Sequence, residues 1–184
     1  MGKETVRGNR AADAAVTYLL RAGIDGGGQL ASADAAAVRA LRRHADAEDA
    51  IDRIVATHTR LAAAGGFVTG IGGFVTLPVA LPANVFGFYV IATRMVAAIA
   101  AVRGHDVKDD AVRTSVLLAL TGNDASKVVK HAGIGVNGVA EYALRSVSPA
   151  ALMVVNKAVA FRLFVQLGKH GLSRFGRVIP LVGG

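Results

Sequence analysis

Hydrophobic and polar positions follow helical spacing along most of this chain, and one stretch departs from the pattern by carrying no charge at all. Between Arg60 and Arg94 the sequence reads LAAAGGFVTGIGGFVTLPVALPANVFGFYVIAT, longer than the about 20 apolar residues that cross a bilayer. GGFVT occurs twice within it, from Gly65 and from Gly72, and a seven-residue period returns like residues to nearly the same side of a helix every two turns. On a helical wheel Gly66, Thr69, Gly70 and Gly73 gather on one side, while Phe67, Ile71 and Phe74 gather on another. Exposed helical Gly costs roughly 1 kcal/mol relative to Ala, so the small face predicts close packing against another helix. Leu77-Pro78 and Leu81-Pro82 are expected to end the first helix and open a second over residues 83–102, with Gly104 as its stop. Such a hairpin fits a buried core, a shallow re-entrant insertion or a pair of spans. Arg94, inside the second arm, argues against the last, because it costs about 2.5–3.5 kcal/mol at bilayer centre unless paired or snorkelling.

The remaining segments read as ordinary amphipathic helices. Val16, Leu19 and Leu20 place a short helix over residues 10–22, stopped by the loop GIDGGGQ. Ser32 is a candidate N-cap for helical structure over 33–62, in one or two pieces. Asp109 and Asp110 sit near the start of a helix whose apolar face holds Val112, Val116, Leu117 and Leu120. Further helices are expected over 125–132, 136–147 and 149–167, punctuated by Gly and by Ser148-Pro149. No strand pattern is sustained. The predicted fold is all-α: a compact multi-helix bundle around a Gly-rich apolar helical hairpin, with residues 1–32 as an N-terminal helix and Gly-rich loop and 33–184 as a single helical domain.

Composition adds an environment to this outline. Apolar residues make up 53% of the 184-residue chain and mean hydropathy is +0.45, above an ordinary soluble protein, mostly through Ala, Val and Gly. Trp is absent and Tyr scarce, so the aromatic belt of a spanning protein is poorly developed. The chain has no cysteine, which excludes disulfides, thiolate metal sites and a Cys nucleophile. The charged start MGKETVRGNRAADAAV lacks a signal peptide's apolar core, so a cytoplasmic location is expected. Val6 in place of Ser or Thr rejects N-myristoylation. Net charge is +8 and unevenly spread: residues 1–61 hold nine Lys/Arg against eight Asp/Glu, whereas 125–184 hold eight against one, Glu141. Such a basic third attracts acidic headgroups or nucleic-acid phosphates.

Chemical motifs are sparse. Gly133 to Gly138 matches G-x-G-x-x-G, but with no strand before it and no ribose-binding acid after it the glycines are read as an interhelical turn. His44, Glu48 and Asp52 share a helical spacing that metals use, yet Arg42, Arg43 and Arg53 around them mark a solvated face. His105 and Asp106 read as a loop after Gly104. No zinc-hydrolase, serine-hydrolase or P-loop motif occurs. No cofactor, metal ligand or catalytic set is expected.

Two long blocks carry a resemblance. AGGFVTGIGGFVTLPVALPANVFGFYVIATRMVAAIAAVRGHD and VNKAVAFRLFVQLGKHGLSRFGRVIPLVGG are similar to the central and C-terminal signature blocks of the EcsC family, bacterial proteins named from a gene beside an ABC transporter. With the region between, the resemblance covers roughly residues 50–184. It implies a helical, membrane-associated protein and supplies no reaction. The positions that match are Gly65, Gly66, Pro78, Pro82, Asn84 and Arg94 in the first block, then Asn156, Lys157, Arg162, Gly168, Gly171, Pro180, Gly183 and Gly184 in the second. Family members usually continue past P-L-V-G-G, so a shortened C-terminus and an exposed apolar face that favours self-association or membrane binding are expected.

Together these features predict a non-enzymatic protein, peripheral to or shallowly inserted in a membrane. Phe67, Ile71 and Phe74 would make the apolar contact, and Arg162, Lys169, Arg174 and Arg177 would meet acidic lipid or a membrane partner; a homo-oligomer fits the same surfaces. Two alternatives stay open. A hydrolase would need a pocket joining His58, His105 or His131 to a nucleophile or metal. A nucleic-acid binder is disfavoured by few aromatics and no binding motif.

Overall fold

The computed structural model describes residues 13–28, 30–70, 73–122, 125–131, 153–161 and 165; within these, the side chains of 66–70, 73–83 and 129–131 are outside the description. Among the described residues the fold is all-α, with a single isolated bridge, Gly27 to Leu30, as the sole extended pairing.

Seven helical segments appear in order. α1 covers residues 13–20 and ends in a π-helical turn, Arg21–Asp25. Gly26 (φ 81°) and Gly28 (φ 59°) then turn the chain through left-handed conformations that favour glycine. Ser32 caps α2 (Ala33–Leu41), its hydroxyl accepting from the Ala35 N–H. α3 (Ala47–Gly70) and α4 (Gly73–Val102) are the long elements, and Gly104 at φ 85° follows the end of α4 as expected. Asp109 caps α5 (Asp110–Ala119) through the Ala111 N–H. α6 (Ala125–His131) and α7 (residues 153–161) complete the described part. The expected helix over 136–147 lies outside it.

α3 and α4 run antiparallel. Arg103 bridges Glu48 at 2.7 Å near one end, and near the other a Cβ placed on Gly65 would stand 4.0 Å from the Asn84 amide oxygen. The bridge is about half exposed on both sides, so it marks register and adds little stability.

The hairpin differs from its sequence reading in where it divides. α4 starts at Gly73 and continues through Pro78 and Pro82, rather than opening after them. Each proline removes one backbone donor and crowds the carbonyl four residues earlier, a defect that long apolar helices accommodate when local backbone adjustment and neighbouring helices satisfy the freed carbonyl. As a result the two GGFVT copies no longer share one helix face: Gly66, Phe67, Thr69 and Gly70 belong to α3, Gly73 and Phe74 to α4.

α4 organises the core. Phe86, Tyr89 and Val90 join Val16 and Leu19 of α1, Leu117 of α5, and Val155 and Val159 of α7 in one apolar cluster. Two to three turns further along, Ala97 and Ala98 join Ile24, Ala33, Ala40, Ala50, Ile54 and Val116 in a second. Alanine dominates this second contact, which lets α2 and α3 lie close on α4. Val112, Val116, Leu117 and Leu120 are all buried, as their spacing predicted.

A cationic cavity between three helices

Phe67 and Phe74 lie on helical backbone with side chains outside the description, as do Gly66, Thr69, Gly70 and Gly73; Ile71, Arg162, Lys169, Arg174 and Arg177 fall outside it altogether, with the glycine motif at 133–138. His44 sits in the loop between α2 and α3, off the helix that carries Glu48 and Asp52, and no metal-ligating cluster forms among the described residues. His105 is exposed in the loop after α4, where Asp106 accepts a turn hydrogen bond from the Lys108 N–H.

Chemistry gathers elsewhere. Where α2, α3 and α4 meet, a cavity of about 420 Å³ is lined by Arg39, Arg43, Arg53, Thr57, His58 and Arg94, with aliphatic side chains completing the wall. Arg39 comes from the polar face of α2 and Arg43 from the turn that follows it, Arg53 and His58 from successive turns of α3, and Arg94 from α4. Arg39, Arg43 and Arg53 are exposed, while His58 and Arg94 are 4% and 8% exposed. The site therefore has a charged rim and a buried cationic floor. No carboxylate occurs among the described residues that line it.

The floor is held by backbone contacts. His58 Nδ1 lies 2.7 Å from the Ile54 carbonyl; the carbonyl only accepts, so Nδ1 carries the proton and Nε2 of the neutral ring is a bare lone pair. That Nε2 is buried with no hydrogen-bond partner, and so is Arg94 Nε. One residue before Arg94, Thr93 is fully buried and its hydroxyl donates to the Tyr89 carbonyl at 2.7 Å.

Burial pushes the His58 proton affinity below its ordinary value; the Ile54 hydrogen bond works the other way, and the Arg94 charge lowers it further. Arg94 is likewise lowered, chiefly by desolvation and then by Arg39. Both shifts report burial first and, as a smaller contribution, the neighbouring like charge. A depressed histidine contributes stability above its unfolded value of about 6.5, and that contribution is lost as pH falls below it, where the unfolded chain binds the extra proton. Urea midpoints measured from about pH 7.5 down to about pH 5 should fall more steeply for the parent than for His58→Gln; parallel slopes would mean that His58 titrates normally.

Comparison with family models places residues 19–146 on the EcsC protein family, more than half of the chain. The chain belongs to the EcsC family. The matched region takes in the end of α1 and all of α2 to α6, so it includes every residue lining the cavity. It begins earlier than the resemblance in sequence and stops before the C-terminal block that also carried it. Comparison with curated proteins and with solved structures gave no match.

Proposed function

We propose that this EcsC-family chain is a non-enzymatic, membrane-associated helical protein that sets the α3–α4 hairpin against lipid or a membrane partner, at the cytoplasmic face and without spanning it. The supporting observation is the disposition of one charge. From Leu61 to Val102 the sole charged residue is Arg94, and it is buried in the cavity floor. From Leu61 to Val102 the hairpin thus carries no charge outside the cavity, and the insertion penalty that Arg94 would impose is absent from its outward surface there.

A second feature points the same way. The Asn84–Val102 part of α4 has mean hydropathy 2.0, long and apolar enough to cross a membrane, yet 39% of it is buried in the protein. A helix apolar on all sides is ordinarily enclosed by protein or lipid. Packing of α1, α2 and α5 against this segment ties it to a body whose α2 surface is charged, so shallow contact by the hairpin is favoured over two spans. The basic C-terminal third would add attraction to acidic headgroups.

Liposome flotation tests this. Parent protein should float with vesicles and resist high salt, and Phe67→Asp with Phe74→Asp should abolish flotation while helicity by circular dichroism is unchanged. Undiminished flotation of the double variant would refute the hairpin site, and flotation confined to anionic vesicles and lost in salt would assign binding to the basic third alone.

His58 favours a second reading, a hydrolase with a dispersed site, because its bare Nε2 in a cavity has the form of a general base. Thr57 is the neighbouring hydroxyl in the lining, and no described side chain hydrogen-bonds Nε2. Hydrolysis of para-nitrophenyl phosphate that disappears in His58→Gln would favour this reading over the first.

A further inference from the structure

We propose that the cavity between α2, α3 and α4 binds an organic phosphomonoester, with Arg94 and His58 on the floor and Arg39, Arg43 and Arg53 at the mouth. The inference does not rest on membrane contact by the hairpin.

The argument begins with an electrostatic imbalance. Four guanidinium groups and an imidazole converge on one space, and no Asp or Glu among the described lining residues answers them. Exposed arginines at a rim are solvated and ask for nothing. Arg94 differs: it is nine-tenths buried, makes no ion pair among the described residues, and leaves Nε without a hydrogen-bond acceptor. A buried, unpaired charge is retained at a cost in folding free energy, and an anion arriving in the cavity supplies the missing partner. His58 Nε2, the other orphaned floor atom, completes the site: once protonated it donates to the same anion, its Nδ1–H already held by the Ile54 carbonyl.

Charge and size select the ligand class. A single carboxylate offsets one of four guanidinium charges, whereas a phosphomonoester carries close to two negative charges near neutral pH and three acceptor oxygens, and planar guanidinium groups match that geometry in bidentate pairs. Phosphodiesters carry one charge and fit less well. The cavity's 420 Å³ falls within the range of small-molecule sites, about 300–1,000 Å³, so there is room for an organic body beside the phosphate. Ala36, Ala40, Ile54 and Leu61 offer that body an aliphatic wall, and the Thr57 hydroxyl one further polar contact. Two sources share this chemistry: a soluble phosphate ester and a lipid with a terminal phosphate.

Calorimetric titration with inorganic phosphate and with glycerol 3-phosphate, and co-sedimentation with phosphatidylcholine vesicles with and without phosphatidic acid, test the proposal. Arg94→Met and Arg53→Gln are run alongside, each checked for helicity. Saturable binding of glycerol 3-phosphate, weakened about ten- to a hundred-fold in both variants, is the expected result and identifies a soluble ligand. Binding to phosphatidic acid vesicles alone, lost to the same extent in both variants, supports the site with a lipid as its source. Phosphate esters that bind nowhere, or that bind both variants as well as the parent, overturn it. Titrations without vesicles are blind to hairpin insertion, so failure here and failure of the membrane reading are separate results.

Discussion

Replacing Arg94 by methionine is expected to stabilise the ligand-free protein by about 1–4 kcal/mol, a rise of several degrees in melting temperature. Such a gain is unusual, since most buried substitutions destabilise. It is expected because the guanidinium is nine-tenths buried, has an orphaned Nε, and faces Arg39, Arg43, Arg53 and His58 with no carboxylate among the described lining residues. Methionine keeps an unbranched aliphatic stem and removes the charge. Solvent entering the cavity reduces the penalty without removing it. Urea denaturation in phosphate-free buffer decides the sign: if Arg94 had a structural partner, the same change would cost about 3–5 kcal/mol. A variant that is more stable yet inert toward phosphate esters would carry the signature of a residue kept for binding at the expense of folding.

Gly23→Ala is expected to act in the opposite direction, by about 1–3 kcal/mol. Gly23 lies in the π-helical turn that ends α1 and is buried against α4. A Cβ there would lie 2.6 Å from both Cβ and Cγ2 of Thr93 and 3.1 Å from the Val90 carbonyl oxygen. None of these atoms is the tip of a flexible side chain. Thr93 is also locked by its hydrogen bond to Tyr89, so α1 must move off α4, opening the cluster that includes Val16, Leu19 and Val90. Thermal denaturation should show the loss, and Thr93→Ser in the Gly23→Ala background should restore only part of it, because Cβ remains. Full native stability in the single variant would mean that the turn has slack that the contact distances do not suggest.

Several parts of this fold were legible in the sequence because they depend on local chemistry. Ser32, Asp109 and Gly104 announced helix ends through their own side chains or their lack of one, and the apolar face of α5 followed from spacing alone. The division of the hairpin was not legible in the same way. Pro78 and Pro82 carry a strong local signal for a boundary, and continuous helix through both depends on surroundings that no local rule contains. Nor did the cavity announce itself: Arg39, Arg43, Arg53, His58 and Arg94 are spread over three helices and the turn after α2, and their convergence follows from the alanine-rich packing of α2 and α3 on α4. One signal was available. Arg94 is the lone charge in a run of 42 residues, which the sequence reading weighed as an obstacle to insertion; a charge kept against such a background can equally be the centre of a site.

Gly23 and Thr93 meet one residue away from Arg94, and that placement has a mechanical meaning. The tight contact is a fulcrum on α4. About 30 Å of helix, at 1.5 Å per residue, separates Arg94 from Gly73 at the far end of the apolar arm. The charged floor and the apolar arm therefore share one helix, and the floor sits beside the point where that helix is clamped.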